Sequence, residues 1–215
     1  MAVYIIPVII ISLVIVWSIG IYLYEKHLER PSFLILEKRR SYEFRIYEPY
    51  IIAEVEVSGD YEGASSAGFR ILADYIFGNN TRREKIAMTA PVAIEKKQLN
   101  EKISMTVPVL MKPKDGQQAE AFTMSFMMPS KYTMDTLPNP NNPAVKLRQV
   151  PKRKVAAIRF SLLANTKRIE KKTAELKKAL RRDGLTVVSE PEIARYNAPF
   201  SNPLLRRNEI LLEFE

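Results

Sequence analysis

Two stretches of the sequence decide the fold: FRIYEPYIIAEVEV at Phe44–Val57 and LRQVPKRKVAAIRF at Leu147–Phe160. They align at an offset of 103 residues, and each contains a strand pattern, a turn with proline and a second strand pattern that alternates apolar residues. A helical pattern follows each stretch, over residues 62–77 and 165–182, and strand patterns follow both helices. Two strand–strand–helix–strand halves predict one α+β domain with pseudo-two-fold symmetry.

A shorter repeat lies between these halves. KIAMTAPV at residues 85–92 and KISMTVPV at residues 102–109 share six of eight positions, and QLNE between them is typical of a turn. We therefore expect both copies to form strands of one hairpin. The C-terminal run NEILLEF, residues 208–214, predicts a final strand at an edge or closure of the sheet.

Composition excludes several kinds of functional site. The 215 residues are 47% hydrophobic and 27% charged, which is typical of a globular protein. There is no cysteine, so disulfides, thiolate metal sites and a cysteine nucleophile are excluded. The single histidine, His27, precedes the repeats and is best interpreted as a linker side chain. A histidine-based triad and a multi-histidine metal site are therefore excluded as well.

The N-terminal segment is strongly apolar. IIPVIIISLVIVWSIGIYLY, residues 5–24, contains no charge over the length that a helix needs to cross a bilayer, about 30 Å. A cleaved signal peptide is the alternative, but the segment lacks a preceding basic region. Lys26 and Arg30 follow the segment, which places the remainder in the cytoplasm by the positive-inside rule. We predict a single-pass cell-membrane protein, with anchor and linker over residues 1–30 and a domain over residues 31–215.

Positive charge concentrates near the C-terminus. The net charge is +9, and residues 146–215 hold 17 Lys/Arg against 8 Asp/Glu. In the predicted helix 165–182, which Gly184 is expected to stop, Ile169, Thr173, Leu176 and Leu180 form a narrow apolar stripe. The stripe opposes a basic face formed by Lys171, Lys172, Lys178, Arg181 and Arg182. This face suits solvent or an anionic lipid surface. Nucleic-acid binding is less favoured, because the helix lacks interleaved aromatic residues and a recognition motif.

The first predicted helix is apolar over more of its circumference than one sheet covers. On a helical wheel Leu72 belongs to the sector that faces the sheet, whereas Phe69, Ala73 and Ile76 form a second sector beside it. The two sectors span about 240°, and a helix packed on one sheet needs about 100°. The second sector is covered either by another segment, such as residues 124–132, or by an apolar ligand or partner protein.

The same stretches resemble the SOUL family of haem-binding proteins. The similarity runs from Tyr42 to the C-terminus and includes REKIAMTAPV, KISMTVPV and YNAPFSNPLLRRNE. It implies a distorted antiparallel β-barrel of two pseudo-symmetric halves flanked by two helices, and non-covalent binding of haem or a related tetrapyrrole. It also implies an apolar site beside the first helix, which maps onto Phe69 and Ala73; with Leu72, Ile76 and Arg70 these are the predicted ligand-binding residues.

Two departures from the family pattern shape the functional prediction. Ser66 and Asp74 stand where basic residues would meet the porphyrin carboxylates, so Arg70 or the LRRNE stretch would have to replace them. No histidine in the domain can ligate iron, so axial ligation is absent or comes from Met or Tyr; we expect binding without histidine ligation and no metal site of the protein's own. The predicted function is a membrane-anchored tetrapyrrole buffer or carrier.

Two other functions compete with this one. The first is a protein-interaction module that binds its partner through the apolar face of the first helix, with haem affinity incidental. The second is a hydrolase, for which Glu54 and Glu56 are the best carboxylates. No nucleophile or base partner accompanies them in the sequence, so we expect no enzymatic activity.

Overall fold

The computed structural model describes residues 2–82, 100–114 and 121–215, with the side chains of residues 7, 9 and 12–26 in the N-terminal helix. The helices described are α1 (Ala2–Lys26), α2 (Tyr61–Ile76) and α3 (Thr166–Arg182), with a short 3-10 helix at Pro203–Leu205. The strands described are β1 (Phe33–Lys38), β2 (Glu43–Tyr47), β3 (Tyr50–Ser58), β4 (Asn80–Thr81), β5 (Val109–Pro113), β6 (Ala121–Met127), β7 (Asn139–Pro140), β8 (Lys146–Val150), β9 (Arg153–Phe160), β10 (Glu192–Arg195) and β11 (Asn208–Glu213).

The two long repeats form the framework of the sheet and pair with each other crosswise. β2 pairs with β9, with Phe44 opposite Ala156, and β3 pairs with β8, with Tyr50 opposite Val150. The first strand of each half therefore joins the second strand of the other half. The crosswise pairing thus joins the two halves that the sequence repeat delimits into one sheet.

Short connections curl the sheet into a half-barrel. Nine strands are joined in the order β1-β2-β9-β11-β10-β5-β6-β3-β8, and every pair is antiparallel. β2 and β3 lie near opposite ends of this order, yet only Glu48 and Pro49 connect them. Because two residues span a short distance, the ends of the sheet must approach each other. The fold is α+β, with a curled antiparallel half-barrel sheet and three helices.

The two faces of the sheet have different partners. Along β3, Ala53, Val55 and Val57 belong to the core that α2 and α3 cover. The alternate residues Ile52, Glu54 and Glu56 face the other side, as the two-residue period of a strand requires. A second, smaller core occupies part of that side, around Tyr47, Leu110 and Tyr196.

The second repeat helix begins and ends as the sequence indicates. The side chain of Asn165 accepts a hydrogen bond from the Arg168 backbone N–H at 3.0 Å, which caps the start of α3. Gly184 follows the C-cap with φ of +75°, the left-handed conformation that glycine adopts without a Cβ penalty. The apolar stripe is confirmed, since Ile169, Leu176 and Leu180 are buried.

Two predictions about strands require correction. In the second short repeat, residues 102–108 form no ladder, and only Thr106 makes an isolated bridge, with Glu29, before β5 begins at Val109. Pro108 lacks the backbone N–H that a ladder needs, which interrupts the strand pattern. The first short repeat lies outside the described residues. The C-terminal strand β11 is interior, between β9 and β10, so of the two predicted positions, an edge or a closure of the sheet, the edge is wrong.

The N-terminal segment is helical over Ala2–Lys26. The linker that follows this helix contacts the domain through Glu29. The Glu29 backbone O accepts a hydrogen bond from Val107 N at 2.9 Å, and the Glu29 carboxylate accepts one from Ser130 N at 2.7 Å. Within the part of the chain that the structure describes, no helix combines the length and the apolar character required to cross a bilayer. The predicted transmembrane helix over residues 5–24 is therefore not supported.

Candidate functional site

The predicted ligand-binding residues of the first helix do not form an open surface together. Leu72 and Ile76 are buried, and Ala73 is 9% exposed. Phe69 is partly buried, with its ring 5.3 Å from that of Phe126 in a T-shaped contact, and Arg70 is exposed. Segment 124–132 contributes Met124, Phe126 and Met128 to the same core. The second apolar sector of α2 is thus largely covered by the chain itself, and ligand contact there stays a prediction.

A cleft lies on the face of the sheet opposite α2, inside the curl of the half-barrel. It encloses about 660 Å³, within the range of small-molecule sites. Its apolar floor includes the buried residues Ile52, Leu110 and Val150, which come from three different strands. The curl of the half-barrel brings these strands together around one cavity. Because the strand face alternates, polar side chains on the same strands form the walls of this cleft.

Two ion pairs form one wall. The Arg148 guanidinium donates to both carboxylate oxygens of Glu54, at 3.0 and 2.8 Å. Lys114 Nζ donates to Glu56 at 2.6 Å, and this hydrogen bond lowers the pKa of the Glu56 carboxyl. Both acids are therefore paired with cations, an arrangement that leaves neither of them prepared to act as a general acid.

Arg153 closes one end of the cleft. Its guanidinium donates to the Tyr50 hydroxyl at 2.6 Å, to Glu192 at 2.7 Å and to Glu213 at 3.0 Å. Burial raises the pKa of the Tyr50 phenol, and the nearby Glu192 carboxylate raises it further, against the opposing effect of Arg153. Tyr50 consequently stays protonated at neutral pH and is a poor source of a phenolate ligand for iron.

The remaining charge in the cleft is positive. Six basic and four acidic side chains line it. Lys112 and Lys146 have no carboxylate within ion-pair distance among the described residues, whereas Lys152 pairs with Glu48 at 3.0 Å. Lys112 extends from β5 and Lys146 from β8, on either side of β6 and β3, and β3 carries both Glu54 and Glu56. The cleft therefore combines an apolar floor with two cations at separate positions.

No metal centre accompanies the cleft in the described ranges. No group of three or more His, Cys, Asp or Glu side chains is close enough there to hold a metal ion. His27 lies at the end of α1, exposed, with Nδ1 2.6 Å from the Leu23 backbone O. It is therefore a solvent-exposed linker side chain in this conformation.

The basic helix presents much of its charge to solvent. Lys171, Lys178, Arg181 and Arg182 are exposed, and Lys172 Nζ donates to Glu175 at 2.7 Å. Arg182 also lies 3.3 Å from the Asp183 carboxylate. These contacts are compatible with a solvated face, and binding of anionic lipid by this helix stays a prediction.

Comparison with known proteins identifies the family. A family model described as SOUL heme-binding protein matches residues 28–100 and 94–213. The chain belongs to the SOUL heme-binding family. The match begins in the linker after α1 and ends within the last residues, so the SOUL domain includes both sequence repeats and every strand that lines the cleft. No curated protein matches the chain.

Solved structures similar to the SOUL domain share its fold at low sequence identity. A hydrolase from Listeria innocua is 13% identical, with a TM-score of 0.53 over 84% of this chain and 94% of the other. The C-terminal domain of EcmrR is 8% identical, with a TM-score of 0.58 over 81% of this chain and 96% of the other. At these identities the likeness shows a common fold alone.

The sequence patterns predict a ligand site beside the first helix and do not predict this cleft. Acids that alternate along a strand usually face solvent, which holds for the exposed Glu56 but not for Glu54, whose side chain is 17% exposed in its pair with Arg148. The pairing register provides the missing information, since it places Glu54 opposite Lys146 and Ile52 opposite Arg148. The long repeat is the sequence signal that could have predicted these neighbours, if its two halves are assumed to pair crosswise.

Proposed function

We propose that this SOUL protein binds haem or a related tetrapyrrole non-covalently in the cleft of the half-barrel and acts as a buffer or carrier. Family membership supports the ligand class. The observation that carries the location is the combination of an apolar floor with Lys112 and Lys146, which lack ion-pair partners among the described residues. A tetrapyrrole with carboxylate side chains needs both features, an apolar surface for its ring and cations for its acids.

The volume and chemistry of the cleft suit such a ligand. The ring would lie above the floor formed by Ile52, Leu110 and Val150, which expose only 2–6% of their surface, and its main contacts would be with the aliphatic parts of the side chains that form the walls. Lys112 and Lys146 would neutralise the carboxylates, and the excess of basic over acidic lining residues favours an anion. Bound haem would supply a redox-active iron, while these residues bind and orient the molecule and shield it from water.

Iron coordination contributes little in this proposal. The SOUL domain contains no histidine, and His27 lies outside it with its ring turned to the Leu23 carbonyl. The raised pKa of Tyr50, caused chiefly by burial, disfavours a phenolate. We therefore attribute affinity to apolar contact and charge, and we assign the chain a binding role without catalysis.

The test compares haem with metal-free protoporphyrin on the full chain. Titration by absorbance for haem and by fluorescence for the porphyrin should give dissociation constants within about tenfold, 1.4 kcal/mol. His27→Ala should leave both constants unchanged. A protein that binds haem but not the metal-free porphyrin would contradict the proposal, and so would a large loss of haem affinity in His27→Ala. Absence of binding to either would favour a protein-interaction module instead.

The cellular side on which the domain lies is a separate proposal. We propose a cytoplasmic location, because the basic residues Lys26 and Arg30 beside the apolar N-terminal segment are typical of the cytoplasmic side of a membrane. Protease added outside intact cells should then leave residues 31–215 uncut. Cleavage within that range would overturn this location.

A further inference from the structure

A loop before the last strand exposes three large apolar side chains. Residues 198–207, here called the C-terminal loop, include Phe200 at 60% exposure, Leu204 at 71% and Leu205 at 52%. Three such side chains in six residues form a patch, whereas single exposed apolar residues are ordinary on protein surfaces. Something apolar is therefore expected to cover the C-terminal loop when the protein functions.

Buried polar contacts hold this loop in place. The Glu25 carboxylate, 5% exposed at the end of α1, accepts hydrogen bonds from Asn197 Nδ2 at 2.5 Å, from Ala198 N at 2.7 Å and from the Ser201 hydroxyl. Arg206 donates within the loop, to the backbone O of Ser201 at 3.2 Å. A carboxylate that is buried and triply bonded fixes the loop against α1. The outward direction of the apolar side chains is consequently a built feature.

The C-terminal loop and α1 together enclose an apolar groove. It has a volume of about 400 Å³ and is lined by Val14, Ile15, Ile19, Tyr22, Leu204 and Leu205, with Ser18 and Asn202 at its base. Asn202 Nδ2 lies 3.4 Å from Ser18 Oγ and is the polar contact across the groove. The loop thus extends the apolar surface of the helix onto the domain.

The distribution of exposed residues on α1 indicates what covers this surface. The five consecutive residues Leu13–Trp17 are all about half exposed or more. Five successive residues point around the full circumference of a helix, at 100° each. A protein partner covers one stripe of a helix, whereas acyl chains can cover the whole apolar surface that α1 and the C-terminal loop leave exposed. Three basic residues suit anionic headgroups: Lys26 and Arg30 follow α1 closely in the sequence, and Arg206 lies in the C-terminal loop, where it interacts electrostatically with Glu25.

We propose that the C-terminal loop inserts into a phospholipid bilayer beside α1, with Phe200, Leu204 and Leu205 in contact with acyl chains. Glu25 positions the loop for this contact, and the cations at its rim meet the headgroups. The proposal concerns only the lipid contact of this surface, and it is independent of tetrapyrrole binding.

Site-directed spin labelling of the full chain tests the proposal. The chain has no cysteine, so Leu204→Cys and Phe200→Cys each provide one labelling site. Val188→Cys is the matched control: Val188 is 50% exposed, and its N–H bonds to Glu213 O at the other end of β11 from the loop. The two ends of this strand are about 17 Å apart. The labelled proteins are reconstituted in phosphatidylcholine–phosphatidylglycerol vesicles.

Relative accessibility to oxygen, which partitions into lipid, and to a water-soluble nickel chelate gives the position of each label. We expect oxygen to dominate at positions 204 and 200 and the nickel chelate to dominate at position 188. Nickel access at 204 and 200 equal to that at 188 would overturn the proposal. Labels at 204 and 200 shielded from both reagents would overturn it as well, because that result indicates a protein partner. Adding Glu25→Ala to Leu204→Cys should raise nickel access at 204.

Discussion

Removing the Glu209 carboxylate should destabilise the fold more than removing a carboxylate of the cleft. Glu209 is 0% exposed on the central strand β11 and accepts two hydrogen bonds from Arg45, at 2.7 and 3.0 Å. The Tyr196 hydroxyl and Arg207 Nε also donate to it, each at 2.9 Å. Glu209→Ala leaves the buried guanidinium of Arg45, itself 3% exposed, with the partly exposed Glu43 at 2.6 Å as its remaining carboxylate partner.

The size of the effect follows from that burial. Breaking a buried ion pair by removing one partner costs about 3–5 kcal/mol, because the remaining charge is uncompensated. In a chain of this length each kcal/mol lowers Tm by about 2–4 °C, so Tm should fall by about 6–20 °C. Replacing both members, as in Arg45→Met with Glu209→Leu, should restore more than half of the loss, since no unpaired charge then remains in the core.

The assay is urea unfolding of the full chain in mild detergent, followed by circular dichroism. Glu54→Ala is the matched control, because its partner Arg148 is about half exposed and such pairs contribute about 1 kcal/mol or less. If Glu209→Ala and Glu54→Ala reduce the free energy of unfolding equally, the buried pair does not have the role assigned to it. A double variant less stable than Glu209→Ala would refute the argument about the unpaired charge.

Three further predictions concern stability. Burial raises the pKa of Glu209, but hydrogen bonding and charge from Arg45 outweigh this effect and lower the pKa overall. The Glu209 carboxylate therefore stabilises the fold above a pH of about 4.3, and this stabilisation is lost as the pH falls through the lowered pKa. Urea midpoints measured down the acid range should accordingly fall less steeply in Glu209→Ala than in wild type. Gly184→Ala should cost about 1 kcal/mol in urea unfolding, because φ is +75° while nothing lies within 4 Å of an added Cβ. Gly68→Val should cost about 1–3 kcal/mol by the same measurement, since the added Cβ would lie 3.0 Å from Met124 Cβ in the contact between α2 and the sheet. An unchanged urea midpoint in either glycine variant would contradict the prediction for that variant.

The fold was predictable where local pattern and repetition agree. The long repeat predicted two strands in each half and the helix after them, because a strand period and a helix period are both visible within short windows. Gly184 marked the end of α3 for the same local reason. The interior place of β11 was not predictable in this way, since an apolar run fits an edge or a central strand equally and only the pairing order distinguishes them.

The site was less predictable than the fold, because its residues are assembled by curvature. Ile52, Leu110 and Val150 are separated in sequence and meet only when the sheet curls. The helical wheel detected the wide apolar arc of α2 correctly, yet a wheel cannot distinguish a covering ligand from a covering segment. In the structure Phe126 and Met128 belong to the core packed around that helix.

The most direct test of the cleft proposal is the haem affinity of charge-reversal variants of the full chain. Lys112→Glu with Lys146→Glu should weaken binding at least tenfold, about 1.4 kcal/mol, because both cations assigned to the ligand carboxylates become repulsive. Lys171→Glu with Lys178→Glu makes the same change in net charge on α3 and should leave the affinity unchanged, as should Arg70→Glu on α2. The proposal is contradicted if Arg70→Glu abolishes binding while the cleft variant retains it.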